Sequence, residues 1–128
     1  MPSDSVEFDE AGVRMALRKA WSIETAQQWS AENPANGQCN VTAALIHDLF
    51  GGEVLRTRME GIWHYYNRIN GVRMDLTDSQ FTDPGARFDP PDGYDDDLSS
   101  PEAALQTIPQ SEYDTLKSRL LQELGKSA

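Results

Sequence analysis

Cysteine is nearly missing from this chain: Cys39 is the single example among 128 residues. A lone thiol cannot close an intrachain disulfide, so the fold must rest on its core, and a chain of this length supports one domain with such a core. Histidine is almost as scarce, with only His47 and His64. Without a Cys-x-x-Cys or His-x-x-x-His pair, zinc held by Cys39, His64 and Asp75 is disfavoured, and no metal or other cofactor is expected. No apolar run approaches the ~18–20 residues of a membrane span. Met1-Pro2-Ser3-Asp4-Ser5 has neither the basic start nor the apolar centre of a secretory signal, so a cytoplasmic protein is expected. Positive charge is also in deficit: 11 Lys and Arg stand against 21 Asp and Glu, for a net charge of −10. Phosphates and anionic lipid are repelled by such a chain, which argues against nucleic acid and membrane partners. A cationic substrate or partner suits it better, although acidic surfaces also simply keep proteins dispersed.

What is present centres on Asn36-Gly37-Gln38-Cys39-Asn40-Val41-Thr42-Ala43-Ala44. Asn36 is a good N-cap, no proline interrupts Gly37 to Phe50, and Gly51-Gly52 supplies helix-ending glycines. Val41, Thr42, Ala44, Leu45, Ile46, Leu49 and Phe50 cover most of that helix, leaving a polar stripe through Asn40 and His47; so apolar a helix is normally buried. Cys39 falls in its first turn. There the helix dipole favours a thiolate, and backbone amides are available to a developing oxyanion. The plainer reading is that Cys39 is a small buried hydrophobe.

A nucleophilic cysteine needs a base, and the base needs an orienting partner. His47 lies eight residues along the same helix, about 12 Å away at ~1.5 Å per residue, and cannot serve. His64 falls in Ile62-Trp63-His64-Tyr65-Tyr66-Asn67-Arg68-Ile69, an aromatic-rich strand pattern followed by Asn70-Gly71 and Val72-Arg73-Met74-Asp75-Leu76. Asn-Gly between two such runs is a strong hairpin signal. With Asn70-Gly71 as the turn, Ile69 faces Val72, Arg68 faces Arg73, Tyr66 faces Asp75 and His64 faces Thr77. His64, Tyr66, Asp75 and Thr77 then share one face, and His64 and Asp75 are diagonal neighbours with backbones roughly 7–8 Å apart, within side-chain reach. Trp63, Tyr65, Ile69, Val72, Met74 and Leu76 form the opposite, core-facing side.

The run Gly37-Gln38-Cys39-Asn40-Val41-Thr42-Ala43 resembles the Gly-Gln-Cys-Trp-Val-Phe-Ala segment around the transglutaminase nucleophile. His64-Tyr65-Tyr66-Asn67 resembles the His-x-Trp-Asn strand of that superfamily, and Asp75-Leu76-Thr77 its Asp-Ala-Thr. More closely, the block from Asn33-Pro34 to Asp75-Leu76-Thr77-Asp78-Ser79-Gln80-Phe81, with Trp21-Ser22 and Glu24-Thr25 upstream, is similar to the small bacterial YunG-like proteins. The transglutaminase resemblance implies a papain-like core with nucleophile Cys39, base His64 and orienting Asp75. It also raises Gln38 and Asn40, on either side of the cysteine, as oxyanion or substrate-binding residues. Asn40 stands where the superfamily has tryptophan, and the accessory domains of the large enzymes have no room here.

Elsewhere, Phe8 to Trp21 reads as an amphipathic helix with Val13, Ala16, Leu17, Ala20 and Trp21 on one stripe. Gln27-Gln28-Trp29 reads as a further helical piece, and Glu53 to Met59 as a first strand whose Arg56 and Arg58 meet surface carboxylates. Residues 82–100, rich in proline and aspartate, read as a solvated acidic loop or lid; their aspartates lack the alternating spacing of a calcium loop. Ser100-Pro101-Glu102 opens a short helix, and a last helix places Tyr113, Leu116, Leu120 and Leu124 at helical spacing. The expected architecture is a single α+β domain over 1–128. Its papain-like, transglutaminase-like core spans about residues 8–81, where a buried helix carrying Cys39 packs on three antiparallel strands. A C-terminal helical segment covers 101–126. The expected function is a cysteine-triad enzyme working on an amide or acyl group of a peptide, protein or small amide. The alternative is a catalytically silent module of the same fold that binds a peptide or a basic protein.

Overall fold

The structure, a computed structural model, describes residues 8–126; the Met1 to Ser5 stretch considered above lies outside the described residues. It is an α+β arrangement: α1 (Glu10–Ala20), α2 (Cys39–Phe50), β1 (Glu53–Met59), β2 (Ile62–Ile69), β3 (Val72–Met74), β4 (Asp97–Leu98), α3 (Pro101–Leu105) and α4 (Gln110–Lys126). A 3-10 turn at Asp78–Phe81 follows β3. The sheet is antiparallel in the order β3-β2-β1-β4.

The hairpin register is the one its turn demands. Asn70 and Gly71 both take positive φ, 52° and 79°, as a two-residue turn matching strand twist requires. Ile69 pairs with Val72, Arg68 with Arg73 and Asn67 with Met74. The like-charged Arg68–Arg73 opposition is relieved because each arginine has its own carboxylate, Glu53 at 2.7 Å for Arg68 and Asp96 at 2.7 Å for Arg73.

The two faces of the sheet do different work. Ile69 and Tyr65 face the helices, Ile69 joining a core with Leu17, Leu45, Ile46, Leu116 and Leu120 and Tyr65 a second cluster with Ala43, Ala44, Val54 and Ala104. On this side Asn67 donates from Nδ2 to the Ala43 carbonyl at 2.9 Å, fixing α2 on β2. His64 and Tyr66 face the other way and are covered by the segment around Tyr94.

Several expectations are corrected. Helix α2 begins at Cys39 rather than Gly37, because Gly37 turns the chain at φ 75° and Gln38 occupies the cap position. Asn36 is therefore no cap; its Nδ2 donates to the Gly85 carbonyl at 3.2 Å. Gln27-Gln28-Trp29 forms turns and no helix. Within residues 82–100, the end of the segment is paired: Ser99 donates its N–H to Val54 O at 2.8 Å and β4 adds to the edge of β1. At the C-terminal side, Ser100 accepts from Ala103 N–H with Pro101 at the start of α3, as its sequence requires.

Leu45 is fully buried in α2, and truncation there leaves a cavity as well as lost apolar contact. Leu45→Ala is expected to cost about 2–5 kcal/mol, read from denaturant unfolding; a loss below about 1 kcal/mol would contradict this account of the core.

Candidate functional site

Each of the three residues singled out around Cys39 is delivered by a different element. Cys39 is the first residue of α2, so its amide and that of Asn40 have no carbonyl one turn back within the helix. His64 is the third residue of β2, and Asp75 directly follows the end of β3. The shortness of β3 matters: leaving the ladder after Met74, the chain turns Asp75 inward toward His64 instead of opposite Tyr66.

His64 Nε2 lies 2.8 Å from Asp75 Oδ2, with the two side chains 1% and 6% exposed. That leaves Nδ1 as the ring nitrogen for the thiol. The imidazole is packed against Phe81 at 5.2 Å and Tyr66 at 5.9 Å between ring centroids. Asp75 is itself well supplied with donors. Its Oδ2 also accepts from the Tyr94 hydroxyl at 2.7 Å, and its Oδ1 from the Thr77 hydroxyl at 3.3 Å. Gln80 Nε2 in turn donates to Thr77 Oγ1 at 3.0 Å.

Electrostatics follow from this cage. Burial alone would drive the proton off His64, but the hydrogen bond to Asp75 and then the nearby Cys39 sulfur outweigh it and push the imidazole up to about 10. That direction favours the imidazolium form of His64 at neutral pH. Tyr94 is pushed up from its ordinary value by burial and by its bond to Asp75, so it remains a neutral donor.

Cys39 is partly exposed and opens, together with His64, onto a cleft of about 480 Å³, a size that accommodates a small molecule or a side chain. Gln28, Trp63, Phe88 and Ile108 contribute to its walls, with Arg87 and Glu112 as its charged lining residues. The thiol also touches Asn40, whose Oδ1 is 3.2 Å from Sγ while its Nδ2 donates to the Ala104 carbonyl at 3.0 Å.

Gln38 is placed elsewhere. Its side chain is fully buried, accepting from Thr25 Oγ1 at 2.9 Å and reaching Ser22 O at 3.5 Å, which makes it a core tie with no face on the cleft. His47 is remote as expected and contacts the Gly52 carbonyl. Arg56 and Arg58, expected to meet surface carboxylates, instead stack on Trp63 at 3.9 and 4.1 Å from its ring centroid. The sequence marks Tyr94 as an anchor of the 82–100 connection, and neither it nor Gln80 as a residue of the site. Thr77 was visible as a member of the His64 face, but nothing in a proline- and aspartate-rich stretch marks Tyr94 as a partner of Asp75. Among the described residues, no group of three or more His, Cys, Asp and Glu has the arrangement of a metal site, and no helix is long and apolar enough to cross a membrane.

The fold and site define a small α+β protein with a cysteine and a histidine on one cleft and an aspartate bonded to that histidine from the buried side. The model of a family described as YunG protein matches residues 9–125, and the chain belongs to that family. It is 46% identical over 72 residues to a Bacillus subtilis (strain 168) protein called "Uncharacterized protein YunG", a match covering 56% of this chain and 63% of the relative. The matched region thus spans less than two thirds of that relative's length. No solved structure matches the chain.

The raised His64 has a signed consequence for stability. A group whose folded value lies above its unfolded one of 6.5 contributes fully below about pH 6.5, and that contribution is lost as pH climbs toward about 10. The thermal unfolding midpoint is expected to fall across that window, with a flatter slope in Asp75→Asn. A native midpoint that rises between pH 6.5 and 10 would contradict the assignment.

Proposed function

We propose that this protein is a papain-like, transglutaminase-like cysteine enzyme that acts on an amide or related acyl group through a thioester. The observation carrying the reading is that Cys39, at the first position of α2, shares a cleft with His64, whose ring is bonded to the buried Asp75.

The chemistry follows from the groups present. In the reactive form the thiol proton sits on His64, steadied by Asp75, and the Cys39 thiolate attacks the acyl carbon. A carbon–sulfur bond forms while the carbonyl electron pair moves onto oxygen. Backbone N–H groups at the start of α2 receive that oxyanion, since the Nδ2 of Asn40 is engaged by Ala104 and the amide of Gln38 is committed to the core. As the oxyanion collapses, the carbon–nitrogen bond breaks and His64 gives its proton to the departing amine. Water then attacks the thioester, His64 takes a proton from it, and the thiolate leaves as the acid product forms. Hydrolysis of an amide or deamidation of a glutamine is the first choice; an amine in place of water would give acyl transfer.

Alkylation by iodoacetamide reads the proposed thiolate directly. Labelling of Cys39 is expected to stay fast well below the ordinary thiol value of ~8.5, to vanish in Cys39→Ser, and to slow about tenfold or more at pH 6.5 in His64→Ala. A native rate that rises only near ~8.5 and ignores His64→Ala would end the enzymatic reading.

A further inference from the structure

We propose that Tyr94 is a positioning residue of the Cys39–His64–Asp75 site, brought there by the segment from Gly93 to Leu98 acting as a strap across the sheet. The inference rests on the proposed reading of that site as a thiol centre.

Asp75 has no ladder to hold it, because β3 ends at Met74. Its carboxylate is oriented only by what donates to it. Thr77 reaches Oδ1 at a long 3.3 Å, whereas the Tyr94 hydroxyl reaches Oδ2 at 2.7 Å, the same oxygen that faces His64 Nε2 at 2.8 Å. A phenol there limits rotation of the carboxylate about its Cβ–Cγ bond. It also spreads the negative charge without competing for a proton, since its own proton is held.

The strap leaves Tyr94 little freedom. Its ring meets Tyr66 edge-on at 4.9 Å, and the Arg73 guanidinium lies over it at 4.8 Å. The following residue donates its N–H to Thr57 Oγ1 at 2.9 Å. One residue further, Asp96 takes two hydrogen bonds from Arg73 at 2.8 and 2.7 Å and one from the Tyr66 hydroxyl at 2.9 Å. Its N–H donates back to that hydroxyl at 2.8 Å. Tyr66 and Arg73, from the two strands that deliver His64 and Asp75, therefore also grip the strap. The position of Tyr94 is thereby coupled to the catalytic face.

The test compares iodoacetamide labelling of Cys39 at pH 6.5 and 9.5 in the native chain, Tyr94→Phe, Asp96→Asn and His64→Ala. Tyr94→Phe removes one hydrogen bond and keeps the ring. It is expected to lower the rate at pH 6.5 about fivefold, the size of one good hydrogen bond. At pH 9.5, where a thiol ionises without help, the rate should stay within about twofold of native. Asp96→Asn, which loosens the strap and leaves Tyr94 intact, should change the rate in the same direction by less, and decides the matter if Tyr94→Phe does not fold. Equal rates in Tyr94→Phe and native protein at both pH values, with His64→Ala still slow, would overturn the positioning role. An equal loss at both pH values would overturn it too, since that is the mark of general damage. If His64→Ala is as fast as native, the reading of the thiol centre itself has failed, and Tyr94 has nothing to position.

Discussion

The buried hydrogen bond between His64 and Asp75 is the constraint around which the rest of this structure makes sense. A carboxylate and an imidazole that are almost wholly removed from water carry a large desolvation cost, which is offset only when the remaining polar positions around them are filled. The surroundings meet that demand: Tyr94 and Thr77 supply donors to Asp75, Gln80 holds Thr77, and Phe81 and Tyr66 flank the ring. Removing one partner would leave the other buried without the bond that offsets its desolvation. The segment from Asp78 to Asp96 can thus be understood as the cover that a charged pair on an otherwise open sheet face requires.

The opposite face answers a different requirement. Leu17, Leu45, Ile46, Leu116 and Leu120 pack there with Ile69, so α1, α2 and α4 share a core built on one side of the sheet. Asn67 ties α2 to β2 through the Ala43 carbonyl, one turn along from Cys39. The start of α2 is in this way set by packing rather than by a cap, and the thiol is carried to the cleft that His64 also lines. Core and site are two faces of the same strand, with alternate residues of β2 serving each.

How much of this was legible in the sequence depended on the range of the interaction. Helix α2, strand β1 and the Asn70-Gly71 hairpin were readable because each is set by local periodicity and turn chemistry. The hairpin register implied by Asn70-Gly71 puts His64 and Asp75 on one face, although the mechanism differs in detail: Asp75 reaches His64 by leaving the ladder. The start of α2 was misplaced because Asn36 looks like a cap, while a glycine at φ 75° and a buried Gln38 decide where the helix begins. The contacts made by residues 82–100 were not legible for a related reason. Composition records aspartate and proline, but not that Asp96 would find Arg73 and that Tyr94 would find Asp75, contacts spanning 23 and 19 residues. The net charge of −10 likewise said nothing about where single carboxylates do structural work.

The charge state of one imidazole tests the account most directly. Nitrogen-15 NMR of histidine-labelled protein distinguishes an imidazolium from either neutral tautomer, and His47, the only other histidine, provides an internal comparison. At pH 7.5 His64 is predicted to carry protons on both ring nitrogens and to release one only as pH approaches about 10. A neutral His64 at pH 7.5, titrating near the ordinary 6.5 or below it, would contradict the charged pair on which the site and its cover depend.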